Sequence, residues 1–180
     1  MDTYRVDVKS ILDDLGGTIE VSDTLAMSDL DVGDEHFAMR EPVRFDITVT
    51  NAGTGIVAMG TVTAEVTATC ARCLIEFPLA IEGTVDGYYV EPGNTENIPE
   101  EQEVDKIDSE GYVDLLPEIM EALVLEAPFA PLHDEECAGI CPECGADLNT
   151  DPCDCDSAID PANPFASLGT LLESDSAASK

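Results

Sequence analysis

Five of the seven cysteines lie between residues 133 and 160, in an order typical of a metal site. The spacing from Cys137 is C-x3-C-x2-C-x8-C-x-C, and residues 141–145 read C-P-E-C-G, the form of a zinc knuckle. Two thiolates three residues apart can hold one ion from a tight turn. A structural Zn²⁺ takes four tetrahedral ligands. The spacing therefore predicts a structural zinc site formed by Cys141, Cys144, Cys153 and Cys155.

Besides zinc binding, two other states of these thiols stay open. The first is a set of unligated thiols, some of them paired in disulfides, and the second is an iron–sulfur cluster. The segment 133–160 carries nine acidic residues and no Lys or Arg, with little apolar material that could order it. Metal binding, with an apparent energy on the order of 10 kcal/mol, supplies what such a segment lacks. Absorbance and metal analysis distinguish the three states.

A second C-x2-C motif, Cys70-Ala71-Arg72-Cys73, lies between two strand-like runs. A thioredoxin-type motif would instead open a helix, so redox catalysis is disfavoured. Positions three apart on a regular strand face opposite sides, so both sulfurs can meet one ion only where the chain turns. With Cys137 and His133 these cysteines would complete a second, Cys3His, zinc site. The alternative is two small buried cysteines and a surface histidine.

The usual catalytic signatures are missing from the sequence. The two histidines, His36 and His133, are far apart, and there is no G-x-S-x-G, phosphate loop or H-E-x-x-H. A structural site with four protein ligands also lacks the open position that metal catalysis needs. We therefore predict a protein that is not an enzyme, and keep a thiol redox or metal-dependent enzyme as the alternative.

The first ninety residues have the pattern of an antiparallel sheet. Residues 43–50 alternate apolar with polar, 51–55 supply turn residues, and 56–69 and 77–90 are rich in β-branched residues. Residues 4–8 and 18–21 are weaker strand candidates, and 28–35 reads as a loop. The predicted fold class is α+β, with an antiparallel sheet, one packing helix and a zinc-ordered C-terminal cysteine segment. Closure of the sheet into a barrel is left open.

The second half of the chain has a different composition. Residues 91–111 hold eight acids and one Lys, which predicts a solvated linker. Asp114 can cap a helix that runs to about Glu126 and places Leu116, Ile119, Leu123 and Val124 on one side, with Pro128 stopping it. Apolar residues at 163–172 predict one or two amphipathic turns. The predicted organisation is one domain, with a β region 1–90, a linker 91–111, and a helix and cysteine segment 112–180.

The chain is strongly acidic, with 7 Lys and Arg against 39 Asp and Glu among 180 residues. A formal net charge of −32 disfavours direct capture of nucleic-acid phosphates and favours basic partners, while a high-salt host is another explanation. Direct RNA binding would need a local patch of basic residues, for which the candidates are Arg5, Lys9, Arg40, Arg44 and Arg72. The polar, acidic start and the Thr-rich uncharged run 47–64 predict no signal peptide and no membrane span, hence a cytoplasmic protein.

Three stretches resemble the YceD-like family, the large ribosomal RNA subunit accumulation proteins. Residues 70–74, C-A-R-C-L, resemble its C-x-R-C-L element, and 113–115 with the helix and 127–132 resemble its central block. Residues 137–149 with Cys153 and Cys155 are similar to its C-x-G-L-C-P-x-C-G-x-x-L-N element, and 160–168 resembles its closing motif. Ala138 and Ala162 stand where the family often has basic residues, and His133 where it often has cysteine.

This resemblance implies a role in the accumulation or maturation of large-subunit ribosomal RNA, without an established enzymatic activity. Combined with the acidic composition, it predicts a module that binds a basic ribosomal protein or a large-subunit assembly intermediate. The predicted contact surface is formed by the acidic segments 91–111 and 133–160. Direct binding of ribosomal RNA is the alternative.

Overall fold

The computed structural model describes residues 3–91 and 104–155. They form two compact units that divide between Glu135 and Glu136, inside the range 112–180 predicted for the helix and cysteine segment. The described helices and strands all lie in the first unit. Their bounds are β1 Arg5–Asp7, α1 Lys9–Leu12, β2 Thr18–Leu25, β3 Leu30–Val32, β4 Glu35–Met39, β5 Val43–Asn51, β6 Ile56–Thr69, β7 Glu76–Val90, β8 Asp105–Lys106, β9 Tyr112–Asp114 and α2 Leu116–Glu126.

The centre of the sheet is the meander β5–β6–β7, which agrees with the predicted strands. Arg44 to Asn51 pair with Ile56 to Thr63 across the predicted turn, and the whole of β6 pairs antiparallel with β7. Alternate residues of β5 are buried because successive side chains point to opposite faces. The buried side chains of these strands and of β4 make up about half of the core, whose large members include Phe37, Phe45 and Tyr89, and buried residues of α2 complete it on one side.

The sheet is open and does not close into a barrel. Among the described strands, β2 pairs with β5 alone, and β4 pairs with Val66 and Thr67 of β6 on the edge that β5 leaves unpaired. At the other side β8 adds a short parallel pair to β7. Within residues 3–91 and 104–155 the outer strands β2 and β8 do not pair with each other. A helix covers one face instead.

Helix α2 packs on β7 and β6, as the apolar pattern predicts. Ile119 and Leu123 are fully buried, whereas Leu116 is half-buried and Val124 is exposed. The N-cap of the helix is Leu115, which makes no side-chain cap hydrogen bond, so the prediction of Asp114 as the cap is wrong by one residue. The Asp114 carboxylate still accepts a hydrogen bond from the Leu116 N–H at 3.1 Å. A Cβ on Gly83 of β7 would lie 2.5 Å from the Ala122 carbonyl oxygen, so the helix backbone approaches the sheet at a glycine.

Four segments differ from the predicted pattern or lie beyond the described residues. The predicted loop 28–35 contains β3 and the start of β4, a short hairpin whose strands are too brief to show periodicity. Residues 4–8 include β1, which pairs with β9 outside the main sheet. Most of the predicted linker and the predicted turns at 163–172 lie outside the described residues. No helix in the described part of the chain is long and apolar enough to cross a membrane.

Candidate metal centres

The first candidate centre lies in the turn that joins the two longest strands, β6 and β7. Cys70 and Cys73 follow the last residue of β6, and the Leu74 N–H donates to the Cys70 carbonyl at 2.9 Å. Leu74 has a positive φ of 63°, which reverses the chain directly after the second cysteine. Two sulfurs three residues apart need such a turn to face one ion. Both cysteines are buried.

His133 joins these two cysteines although it lies 60 residues beyond Cys73 along the chain. Its Nδ1 lies 3.3 Å from the Cys70 Sγ and 3.4 Å from the Cys73 Sγ. The Ala71 N–H donates to the Pro131 carbonyl at 2.8 Å, and this backbone bond holds the two segments together. The structure thus brings together three of the four residues of the predicted second site. Cys137, the fourth, belongs to the second unit.

The environment of Cys70 favours its thiolate. Burial raises the pKa of the Cys70 thiol, but hydrogen bonds from the His133 ring and from the backbone N–H groups of His133, Cys73 and Arg72 outweigh burial and lower the pKa to about 5. A thiolate and an imidazole in contact are the donors that Zn²⁺ takes in structural sites. The three ligand atoms lie within 4.8 Å of one another and could therefore hold a metal ion.

The second candidate centre lies in the second unit and is held by the C-P-E-C-G turn. The Gly145 N–H donates to the Cys141 carbonyl at 2.9 Å, and the Cys141 N–H donates to the Ala146 carbonyl at 2.8 Å. Gly139 and Gly145, with φ of 77° and 73°, adopt a conformation that other residues rarely take. A bridge between Ile140 and Asp147 closes the loop. The C-P-E-C-G sequence already indicates that the chain turns at Gly145.

All four sulfurs predicted for this site meet in the structure. The Sγ atoms of Cys141, Cys144, Cys153 and Cys155 lie within 4.8 Å of one another. Sulfurs bound tetrahedrally at about 2.3 Å from zinc would be about 3.8 Å apart, so small adjustments suffice to enclose an ion. These four cysteines could therefore hold a metal ion.

The pKa values of these thiols give a physical reason why the cluster would bind a cation. Backbone N–H groups of Cys144 and Glu143 lower the pKa of the Cys141 thiol to about 6. Contact with the sulfurs of Cys144 and Cys153 raises the pKa of the Cys155 thiol to about 12. Neighbouring sulfurs cannot all carry negative charge at neutral pH without a positive partner. A divalent ion would remove that conflict and allow all four to ligate.

Asn149 is a supporting residue that the cysteine spacing does not indicate. Its amide Nδ2 lies 3.5 Å from the Cys137 Sγ, and its Oδ1 accepts from the Ala138 N–H at 2.7 Å. Asp147 holds Asn149 in turn, since its Oδ1 accepts from the Asn149 N–H at 3.0 Å. Hydrogen bonds of this kind orient metal ligands. The D-x-N spacing, which is typical of an Asx turn, is the signal that the sequence offers.

Three of the five basic residues considered for RNA binding are engaged within the chain. Arg5 pairs with the carboxylates of Asp108 and Glu110, and its guanidinium lies 4.4 Å from the centre of the Tyr112 ring. Lys9 pairs with Asp7 at 3.1 Å and also lies over Tyr112. Arg72 donates to the Glu135 carbonyl at 2.9 Å. The carboxylates beside Arg5 and Lys9 oppose binding of a phosphate backbone.

Fold and sites together define a small acidic β-sheet protein with cysteine clusters suited to a metal ion. The chain belongs to the family described as large ribosomal RNA subunit accumulation protein YceD, whose model matches residues 58–172. The match includes the residues of both candidate centres. It confirms the resemblance drawn from the cysteine motifs and connects the chain, through the family's name, with the accumulation of large-subunit ribosomal RNA.

The chain also matches mycobacterial relatives that are themselves described as uncharacterized. A protein of Mycobacterium leprae is 30% identical over 134 residues, which are 74% of this chain and 61% of the relative. Proteins of Mycobacterium bovis and Mycobacterium tuberculosis are 33% identical over 132 residues, which are 73% of this chain and 62% of each relative. The matched region thus spans about three fifths of these relatives. No solved structure matches the chain.

Proposed function

We propose that this protein is a cytoplasmic, non-enzymatic factor that supports the accumulation or maturation of large-subunit ribosomal RNA. The observation that carries this proposal is the family match over residues 58–172. The arrangement of the cysteines adds that the chemistry is structural, because each predicted set offers four protein ligands and leaves no position for substrate.

The same proposal assigns a structural zinc ion to each cysteine cluster. One ion is held by Cys141, Cys144, Cys153 and Cys155, as the sulfur geometry supports. The other is held by Cys70, Cys73 and His133, with Cys137 as the fourth ligand. Support for Cys137 comes from the sequence, since it follows His133 by four residues, a spacing that suits two ligands of one ion. Thiolate and imidazole donors also suit iron–sulfur clusters, so the metal needs direct analysis.

The partner of this factor is a basic ribosomal protein, bound alone or within an assembly intermediate. A net charge of −32 repels RNA and attracts Lys- and Arg-rich proteins. The pairing of Arg5 and Lys9 with carboxylates supports this choice over direct RNA contact. Acidic segments 91–111 and 133–160 are the proposed contact surface.

Depletion of the protein from its host, followed by quantification of ribosomal RNA, tests the proposal. Large-subunit RNA should fall relative to small-subunit RNA, and a wild-type copy should restore it. A copy with Cys141→Ser and Cys144→Ser should restore less. Affinity capture with the same two copies identifies what binds. Unchanged RNA levels would refute the role, and RNA captured without any basic ribosomal protein would refute the partner.

A further inference from the structure

Helix α2 is apolar on the side that faces away from the core as well as on the side that faces it. Met120 and Val124 are 41% and 37% exposed, and Leu125 at the edge of that side is 73% exposed. Positions 116, 120 and 124 follow one another along the helix because four residues make slightly more than one turn. The outward side of a surface helix is normally polar, whereas on α2 this side carries one acid, Glu121, among apolar residues. In the described part of the chain, α2 is covered on one side only.

The apolar surface continues beyond the helix at both ends. At its start, Leu116 and Met120 line a shallow groove together with Leu25, Met27 and Asp29 from the end of β2 and the segment that joins it to β3. Past its end, Phe129 is 82% exposed. We call Leu116, Met120, Val124, Leu125 and Phe129 the α2 docking face. Several exposed apolar side chains on one element and its flanks are typical of interaction sites on proteins.

The charged residues of helix α2 on its exposed side are acidic, since Glu121 lies among the apolar residues of the face and Glu126 ends the helix. Asp29 also lines the groove, but its carboxylate accepts from the Met39 N–H at 2.9 Å and lies 3.5 Å from His36. Residues 107–179 contain no Lys or Arg at all. A partner that matches both features carries apolar side chains on one side and cations beside them.

We propose that the α2 docking face binds an amphipathic basic segment of a protein. Apolar side chains of that segment pack on Met120, Val124 and Phe129, and its Lys or Arg side chains face Glu121 and Glu126. The inference rests on the proposed function, because it locates the basic partner on this protein. The inference also goes beyond the proposed function. The acidic segments alone would attract any cationic protein, whereas the α2 docking face selects a partner that carries apolar side chains as well.

Titration of the full chain with two synthetic peptides tests the location. Both contain the same leucines and lysines, about 18 residues in all, arranged as an amphipathic helix in one and scrambled in the other. Binding is measured by calorimetry in about 0.5 M NaCl, where screening leaves charge attraction a range of about 4 Å. The amphipathic peptide should bind about tenfold more tightly than the scrambled one.

Two double variants and a control assign that difference to the face. Met120→Ser with Val124→Ser, and Leu125→Ser with Phe129→Ser, should each weaken binding of the amphipathic peptide about tenfold. The second pair keeps the test valid if the first fails to fold, since Leu125 and Phe129 are the more exposed. Met59→Ser, at an exposed methionine of β6 that is 56% accessible, should leave affinity within about twofold.

Several results would overturn the proposal. Equal binding of both peptides, or no effect of the face variants, means that charge alone attracts the peptide. A chain that sediments as a dimer and becomes a monomer in the face variants uses the face for a second copy. Tighter peptide binding after Phe165→Ser with Leu168→Ser assigns the face to the chain's own C-terminal residues. Single-stranded RNA that binds and is lost in the same variants points to a nucleic acid. The depletion experiment is independent of all these results, so failure here leaves the proposed function standing.

Discussion

At the scale of single residues, Glu118 is an acid placed where its charge is costly. It is 6% exposed, lies on the core side of α2, and neither of its carboxylate oxygens has a hydrogen-bond partner among the described residues. Burial raises the pKa of Glu118 to about 7; the nearby Tyr89 hydroxyl lowers the pKa and the Asp105 carboxylate raises it further. The folded chain therefore binds this proton more tightly than the unfolded chain, whose ordinary value is about 4.5.

The sign of the resulting pH dependence follows from that order. The stabilisation from this proton is fully present below about pH 4.5 and is lost as the pH rises to about 7. Glu118→Gln should therefore leave the free energy of unfolding unchanged at low pH and raise it by about 1–3 kcal/mol above pH 7. Urea unfolding at a series of pH values measures both. Glu121→Gln, on the exposed side of the same helix, controls for the loss of one negative charge. A constant difference between the two variants at all pH values would contradict the prediction.

How far the candidate sites could be predicted from the sequence also depends on individual residues. Cys141, Cys144, Cys153 and Cys155 lie close together in the sequence, so their spacing already restricts how they can meet. His133 and Cys70 are 63 residues apart, and only the count of remaining ligands suggested that they meet. The positive φ of Leu74 depends on local backbone geometry that residue type does not reveal, whereas the D-x-N spacing at 147–149 already indicates a turn at Asn149.

At the scale of elements, the contact of α2 with β7 depends on one glycine. The Ala122 carbonyl oxygen would lie 2.5 Å from a Cβ at Gly83, so a side chain there displaces helix backbone. Gly83→Ala should lower the free energy of unfolding by about 1–3 kcal/mol, because a packed interface has no space for a methyl group. Thermal or urea unfolding measures this effect. Thr84→Ala, at the next and exposed position of the same strand, should change it by less than about 0.5 kcal/mol. Equal values for the two variants would mean that the helix does not need this close approach.

The elements that the sequence predicted best are those whose pattern has enough residues to repeat. Strands β5, β6 and β7 extend over nine to fifteen residues, and their alternation and turns set their order in the sheet. The hairpin β3–β4 begins with a three-residue strand, and β8 has two residues, so neither offers a period. The sequence could not predict whether the sheet closes into a barrel. Closure depends on the distance in space between the two edge strands, and the alternation of apolar and polar residues does not encode that distance.

At the scale of the whole molecule, the two candidate metal centres should bind metal independently of each other. One predicted ligand set includes Cys70 and Cys73, between two strands of the large sheet, whereas the other lies wholly within the small second unit. Metal analysis of the purified chain should find about two zinc ions, and Cys70→Ser should reduce this to about one. Cys141→Ser should also remove one. All seven cysteines of the chain belong to the two predicted sets, so no further thiol complicates the count. One zinc ion that is unaffected by Cys70→Ser would contradict the centre at Cys70, Cys73 and His133.

Removal of metal should affect the two units unequally, because their apolar content differs. The first unit has a core that includes Phe37, Phe45 and Tyr89, whereas the described part of the second contains few buried apolar residues. A chelator should therefore abolish slow hydrogen exchange at the Cys141 and Gly145 amides while leaving it at the centre of β6. Re-addition of zinc should restore protection, and magnesium, which prefers oxygen ligands, should not. If the amides of the second unit stay protected without any metal, its backbone turns are stable by themselves, and a metal is not what shapes that end of the protein.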